Sequence, residues 1–333
     1  MRPMIALCYI VIGRSRRFVD KTGIAEGMPP TTVSTLCSGR QCFLMTNSFS
    51  LEFPQATQAQ LAALMQNILD DDEIDFGARC PTKPEPDFAV AELAGCYRLA
   101  WQLLVSGVNM SSARRLVATI AIRGSATPEQ AARFKLIRAR FKHMRFACSN
   151  CSEQHAYPEQ LNSITRLMGK FQDAFKNGQK IKALALGGRL WFRLRTSFFE
   201  GLRKYIADAQ LSSVESFKRY LAGENQLLAE AVRDSGYLTA RQFHALRKII
   251  SRRIALNDTR RVLYPSPELD ELSLFLATIN GLMGDMHDDL VLKRIRKELD
   301  YEKEPFELPD EIASRIRAFV MAYQNLHSPA IKA

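Results

Sequence analysis

Four cations fall on a single stripe in the first half of this sequence: Lys135, Arg138, Lys142 and Arg145, separated by three, four and three residues. On an α-helix that spacing sets all four on one face. Aligned like charges repel, so the arrangement costs stability until anions meet it. Arg suits such a site because its planar fork holds two phosphate oxygens at once. A second set follows later in the chain: His244, Arg247, Lys248, Arg252 and Arg253. His244 aligns with Lys135 and Arg247 with Arg138. Ser251 and Ile254 occupy the places of Lys142 and Arg145, with Arg252 and Arg253 shifted beside them. Basic helix stripes are usually solvated faces paired with acids on neighbouring helices. Repetition favours the ligand-binding reading.

The repetition extends beyond the cations, and internal repeats decide architecture. Each basic stretch is followed by a turn, at Tyr157-Pro158 and at Tyr264 to Pro267. Each turn is followed by a second helical stretch, Leu167-Met168-Gly169 to Asp173 in one copy and Leu282-Met283-Gly284 to Asp288 in the other. A helical Gly costs up to about 1 kcal/mol relative to Ala. Gly169 and Gly284 therefore point to a close helix crossing or to a neighbouring side chain lying over the helix. Asp173 and Asp288, one turn on, are placed to hold the guanidinium of an Arg from the preceding helix, a supporting role.

Helix signals frame the two copies. Thr127-Pro128-Glu129-Gln130 is a capping box with Pro at the first helical position, and Thr239-Ala240-Arg241-Gln242 repeats the box. Upstream, Gln58 to Leu69, Phe88 to Val105 and Ser111 to Ile122 read as helices, with an acidic run from Asp70 to Asp75 and a Pro-rich linker from Cys80 to Pro86. Downstream come Pro158 to Lys176, a long helix from Lys180 to Ala209 with a bend at Gly187-Gly188, Val214 to Val232, Glu268 to Leu299 and Pro309 to Leu326. Alternating strand patterns are almost absent. The expectation is an all-α protein: a disordered leader over 1–50, a smaller helical region over 51–125, and two repeated antiparallel bundles over 126–330, divided into 126–236 and 237–330.

Bulk composition narrows the partners. Of 333 residues, 46 are Lys or Arg and 35 Asp or Glu, a formal charge of +11 that favours a polyanionic partner. The apolar run from Met4 to Ile12 is too short to span a bilayer and lacks the small-residue cleavage site of a signal peptide. Seven cysteines are an odd set, without the density of a disulfide scaffold, and read as reduced thiols of a cytosolic protein. Cys148, Cys151 and His155 form half of a zinc pattern with no second pair at the usual spacing, so they read as a helix end with incidental thiols. The aromatic residues Trp191, Phe192, Phe198 and Phe199 interleave with basic residues. At helical spacing they read as core rather than as a stacking platform for single strands. His143 and His327 read as surface or core residues.

The second copy, Phe243 to Lys248 followed by Leu282 to Val291, resembles the closing half of a CHAD domain, the conserved histidine α-helical domain. The resemblance covers Thr127 to Leu326. It implies two helical repeats, each with a His-x-x-Arg type helix and a Leu-Gly-x-x-x-Asp type helix, that bind inorganic polyphosphate in a basic groove between them without catalysis. On that resemblance His244 and Arg247 match the motif, as do Arg138, Lys142 and Arg145, with Lys135 in place of the first copy's His. It implies no catalytic residue, no metal and no cofactor, and a cytoplasmic protein at polyphosphate granules. Nucleic acid is the rival partner, although helix-turn-helix, zinc-finger and basic-zipper patterns are missing. A metal-dependent phosphohydrolase using Asp285, His287, Asp288 and Asp289 is a third reading. It lacks a facing acidic cluster, because the first copy carries Lys170 and Gln172 at the matching stretch. Protonation of His244 predicts tighter polyanion binding below neutral pH.

Overall fold

A computed structural model describes residues 55–82, 88–233, 237–301 and 303–327, without the side chains of 324–327. The expected leader, most of the Pro-rich linker and the His327 side chain lie outside these. The described residues form α1 (Gln58–Leu69), α2 (Val90–Gly107), α3 (Met110–Arg123), α4 (Pro128–Cys151), α5 (Glu159–Lys176), α6 (Lys180–Arg193), α7 (Thr196–Ala207) and α8 (Val214–Arg233). After these come β1 (Tyr237–Leu238), α9 (Ala240–Leu263), α10 (Pro267–Ile295), β2 (Phe306–Glu307) and α11 (Asp310–His327). The fold is all-α. Among the described residues a short ladder pairs Tyr237 with Glu307 and Leu238 with Phe306 in antiparallel register.

The two basic helices, α4 and α9, start on the same device. Thr127 accepts from the Gln130 backbone and Thr239 from the Gln242 backbone, and each Gln reaches back to the cap nitrogen. Both helices are mostly buried along their C-terminal halves, where they pack on each other in antiparallel sense. His143 bonds Thr259 across the crossing at 3.0 Å, and Asn150 Nδ2 donates to the Arg252 carbonyl at 2.9 Å. The register that sets Phe134 on Phe243 also sets His143 on Arg252 and Asn150 on Thr259. The crossing is thus one contact made twice about a pseudo-two-fold axis, as a duplicated sequence allows. His143 is a core residue, 3 % exposed.

Two cores flank this crossing. The first gathers Phe134, Phe141, Phe171 and Phe175 with residues of α2, α3, α6 and α7, and the second gathers Phe243, Ile250, Phe275, Met283, Ile316 and Phe319. Three expectations are corrected here. Residues 51–125 do not form a region of their own, because α2 and α3 supply Leu104, Leu116 and Ile120 to the first core. α1 closes over Leu99 and Leu103, and Glu92 holds Arg260 of α9 at 3.0 Å. The boundary at 236 does not separate the cores either. Helix α8 gives Phe217 and Leu221 to the first and Leu228 and Val232 to the second, so it staples both.

The third correction concerns the long helix expected over 180–209. It breaks at Leu194-Arg195, where Arg195 takes an extended ψ of 147°. The break lets Leu194 reach the core and turns Phe199, Leu202 and Ile206 inward on α7. α6 runs unbroken through Gly187-Gly188. Gly187 instead lets α6 approach α3 and α5: a Cβ there meets Ala121 and lies 2.9 Å from Phe171 Cε2. Trp191 and Phe192, expected in the core, are exposed, whereas Phe199 is buried and Phe198 packs against the core's edge.

Candidate functional site

The two motif glycines have the same neighbour. An ideal Cβ on Gly169 stands 3.2 Å from Arg138 Nη2, and one on Gly284 stands 3.2 Å from Arg247 Nη2. In each repeat the Arg of the basic helix lies flat across the glycine of the next. A Cβ would push the guanidinium away, which accounts for glycine in mid-helix.

Around these two arginines the cations of both repeats meet. Arg145 Nη1 donates to Asn162 Oδ1 at 3.1 Å and to Thr165 Oγ1 at 3.2 Å, with its guanidinium 4.7 Å from the centre of the Tyr157 ring. Arg138 donates to Gln172 Oε1 at 3.3 Å. These partners are neutral, so they orient the guanidinium groups without cancelling charge. Burial pulls Arg138 below the usual arginine range; Asp173 opposes this and Arg247 of the other repeat adds to it. Burial lowers Lys248 also, with Arg145, Arg252 and Arg166 adding repulsion. Among the described residues, Arg166, Arg247 and Lys248 have no carboxylate partner. The cluster is Arg138, Arg145 and Arg166 from the first repeat with Arg247 and Lys248 from the second.

The other expected binding residues stand differently. Lys142 is paired with Asp71 at 3.2 Å, an acid from the Asp70 to Asp75 run that lies against α10. Arg252 is held by Glu224 of α8, Nε to Oε1 at 2.8 Å, and donates to Tyr157 Oη at 2.6 Å. Arg253 is 3 % exposed, faces Glu224 Oε2 at 3.2 Å and donates to the Leu221 carbonyl. It is part of the core and is corrected as a ligand-binding residue. Burial explains why: a guanidinium sealed under α8 stays folded only with its acid beside it. Lys135 is exposed on the first turns of α4. His244 Nε2 bonds Tyr301 Oη at 3.1 Å and lies 5.2 Å from the His287 ring.

The supporting acids are corrected in part. Asp173 acts on Arg138 electrostatically, but Gln172 takes the hydrogen bond. Asp288 is 86 % exposed and pairs with His287 Nδ1 at 3.2 Å rather than with Arg247. Sequence reasoning also missed Arg166, one turn before Gly169 and so on the same helix face. It treated Tyr157 only as a turn marker, although that ring joins Arg145 to Arg252. Cys148 and Cys151 are buried at the end of α4, and burial pushes the Cys148 thiol up to about 12. His155 Nδ1 meets the Ser149 carbonyl at 3.1 Å, so the three close a helix end. Among the described residues no group of acids, His and Cys could hold a metal ion, and no helix is long and apolar enough to cross a membrane.

In comparisons with protein-family models, curated proteins and solved structures, nothing matches the chain.

Proposed function

We propose that the chain binds inorganic polyphosphate, or a linear polyanion of similar charge density, along the cationic seam where the two repeats meet, without transforming it. One observation carries this reading. Among the described residues, Arg138 and Arg247, each laid across its repeat's glycine, belong to one cluster whose members have neutral hydrogen-bond partners or none. Internal ion pairs consume Arg252, Arg253 and Lys142, and a stabilising network would be expected to consume the rest. A polyanion relieves the mutual repulsion of these cations and supplies oxygens in pairs to the planar forks. The two-repeat CHAD resemblance agrees with a linear ligand crossing both copies, in the cytoplasm or at polyphosphate granules.

Competition tests the reading. Purified chain is loaded with labelled long-chain polyphosphate and challenged with single- and double-stranded DNA at two salt concentrations. Polyphosphate retained against excess DNA, and lost on changing Arg145 and Arg247 to Gln, supports it. Equal displacement by every polyanion, or Mg²⁺-dependent release of phosphate, overturns it in favour of a nucleic-acid binder or a hydrolase.

A further inference from the structure

Helix α6 buries Ala183, Gly187 and Leu190 against the first core and turns an apolar face to solvent. Ile181 is 87 % exposed, Leu184 55 %, Phe192 52 % and Trp191 42 %. With Ala185 and Gly188 between them, these recur every three or four residues, so they form one continuous stripe along the helix. From Ile181 to Phe192 it runs about 17 Å at about 1.5 Å per residue. A contiguous exposed apolar stripe marks an interaction surface rather than ordinary scatter.

The charges beside the stripe identify the partner's sign. Lys180, Lys182, Arg189, Arg193 and Arg195 flank it, and no acidic residue occurs between Asp173 and Glu200. None of these five has an ion-pair partner among the described residues. Two chemistries combine apolar contact with negative charge: a bilayer rich in anionic lipid and a single-stranded nucleic acid. The aromatic faces discriminate. Arg114 lies over the Trp191 ring at 4.0 Å and Arg195 over the Phe192 ring at 3.7 Å, so one face of each ring is already covered by a guanidinium and closed to a stacking base. Ile181 and Leu184 offer a base nothing to stack on, but they suit acyl chains. Trp with Arg at the edge of an aliphatic stripe is the composition of a helix lying at the headgroup level.

We infer that α6 is a peripheral docking helix for anionic bilayers, with Ile181, Leu184, Trp191 and Phe192 entering the acyl boundary and the flanking Lys and Arg meeting lipid phosphates. The stripe and its flanking cations share no residue with the seam, and the inference does not depend on polyphosphate binding. Immersion of about 5–10 Å suffices for such a helix, so the bundle stays in water.

Vesicle flotation of the full chain tests this, with phosphatidylcholine alone and with phosphatidylserine added. The chain holds two tryptophans, and Trp101→Phe leaves Trp191 as the reporter. The expected result is binding to the anionic vesicles only, with a blue shift of Trp191 emission. Ile181→Asp with Leu184→Asp, both at solvent-facing positions, weakens binding roughly tenfold or more. Lys182→Gln with Arg193→Gln leaves the stripe intact and lowers the salt sensitivity, and Arg138→Gln with Arg247→Gln leaves vesicle binding unchanged. Absence of binding, binding without a blue shift, or full binding by the Asp variant overturns the inference. A Trp191 signal raised by single-stranded DNA but not by vesicles overturns it in favour of nucleic acid.

Discussion

Arg138 and Arg247 could be paired from the sequence because they keep the same spacing to Phe134 and Phe243, and their glycines could be paired from the motif that follows. That each arginine lies on its glycine follows from the cost of glycine in a helix. Arg253 was not legible in the same way. It stands three residues after Ile250 and four after Ile249, on the apolar stripe of α9, but its charge reads as a ligand contact until Glu224 of α8, distant in sequence, is seen to face it. Gly169→Ala and Gly284→Ala should each leave thermal stability unchanged or raise it by up to about 1 kcal/mol, since the flexible guanidinium yields to the new methyl. The same variants should weaken polyphosphate binding several-fold, read by titration, because the displaced fork no longer meets its oxygens. Lys248, depressed by partial burial and by Arg145, Arg252 and Arg166 yet still exposed, should be acylated faster than the other exposed lysines at mildly alkaline pH. Bound polyphosphate should suppress that reaction, a contrast peptide mapping resolves.

At the level of elements, the helix starts were the most legible features. Thr127 and Thr239 announce α4 and α9 because a capping box is written within four consecutive residues. The break at Leu194-Arg195 was hidden, since neither residue is a helix breaker; the core reached by Leu194 and Phe199 decides it. The exposed face of α6 was hidden too, because aromatic residues at helical spacing look the same whether they face a core or solvent. Adjacent glycines of α6 give a clean contrast. Gly187→Ala, which meets Ala121 and Phe171, should destabilise by about 1–3 kcal/mol. Gly188→Ala, with nothing within 4 Å, should stabilise by up to about 1 kcal/mol. Thermal denaturation of the two variants checks the helix approach. Glu224→Gln should cost roughly 3–5 kcal/mol, because it leaves Arg252 and Arg253 without their shared acid where α8 staples the cores.

Across the whole molecule, all-α character and duplication were visible in the sequence, whereas the antiparallel α4–α9 crossing and the insertion of α1–α3 into the same body were not. Those depend on contacts between distant residues such as His143 with Thr259 and Glu92 with Arg260. The crossing carries two buried titratable groups of opposite effect. Burial lowers His143 to about 4, so the unfolded chain takes a proton first, and stability is lost as pH falls from 6.5 towards 4. Burial raises Asp258 to about 8, with Asp71 adding to it and Ser273 and Arg261 opposing. Its contribution is complete below the usual carboxylate range and is lost as pH rises towards 8. Asp258→Asn should therefore lose less stability than the unmodified chain between pH 6 and 8, as urea melts across that window measure. The central claim is one polyanion site spanning both repeats. Its most direct test is the salt dependence of polyphosphate affinity for the unmodified chain and for the Arg138→Gln, Arg145→Gln, Arg247→Gln triple variant. The variant should bind far more weakly, with a log–log slope shallower by about three, one for each lost phosphate contact. The same slope and affinity in both proteins would contradict that claim.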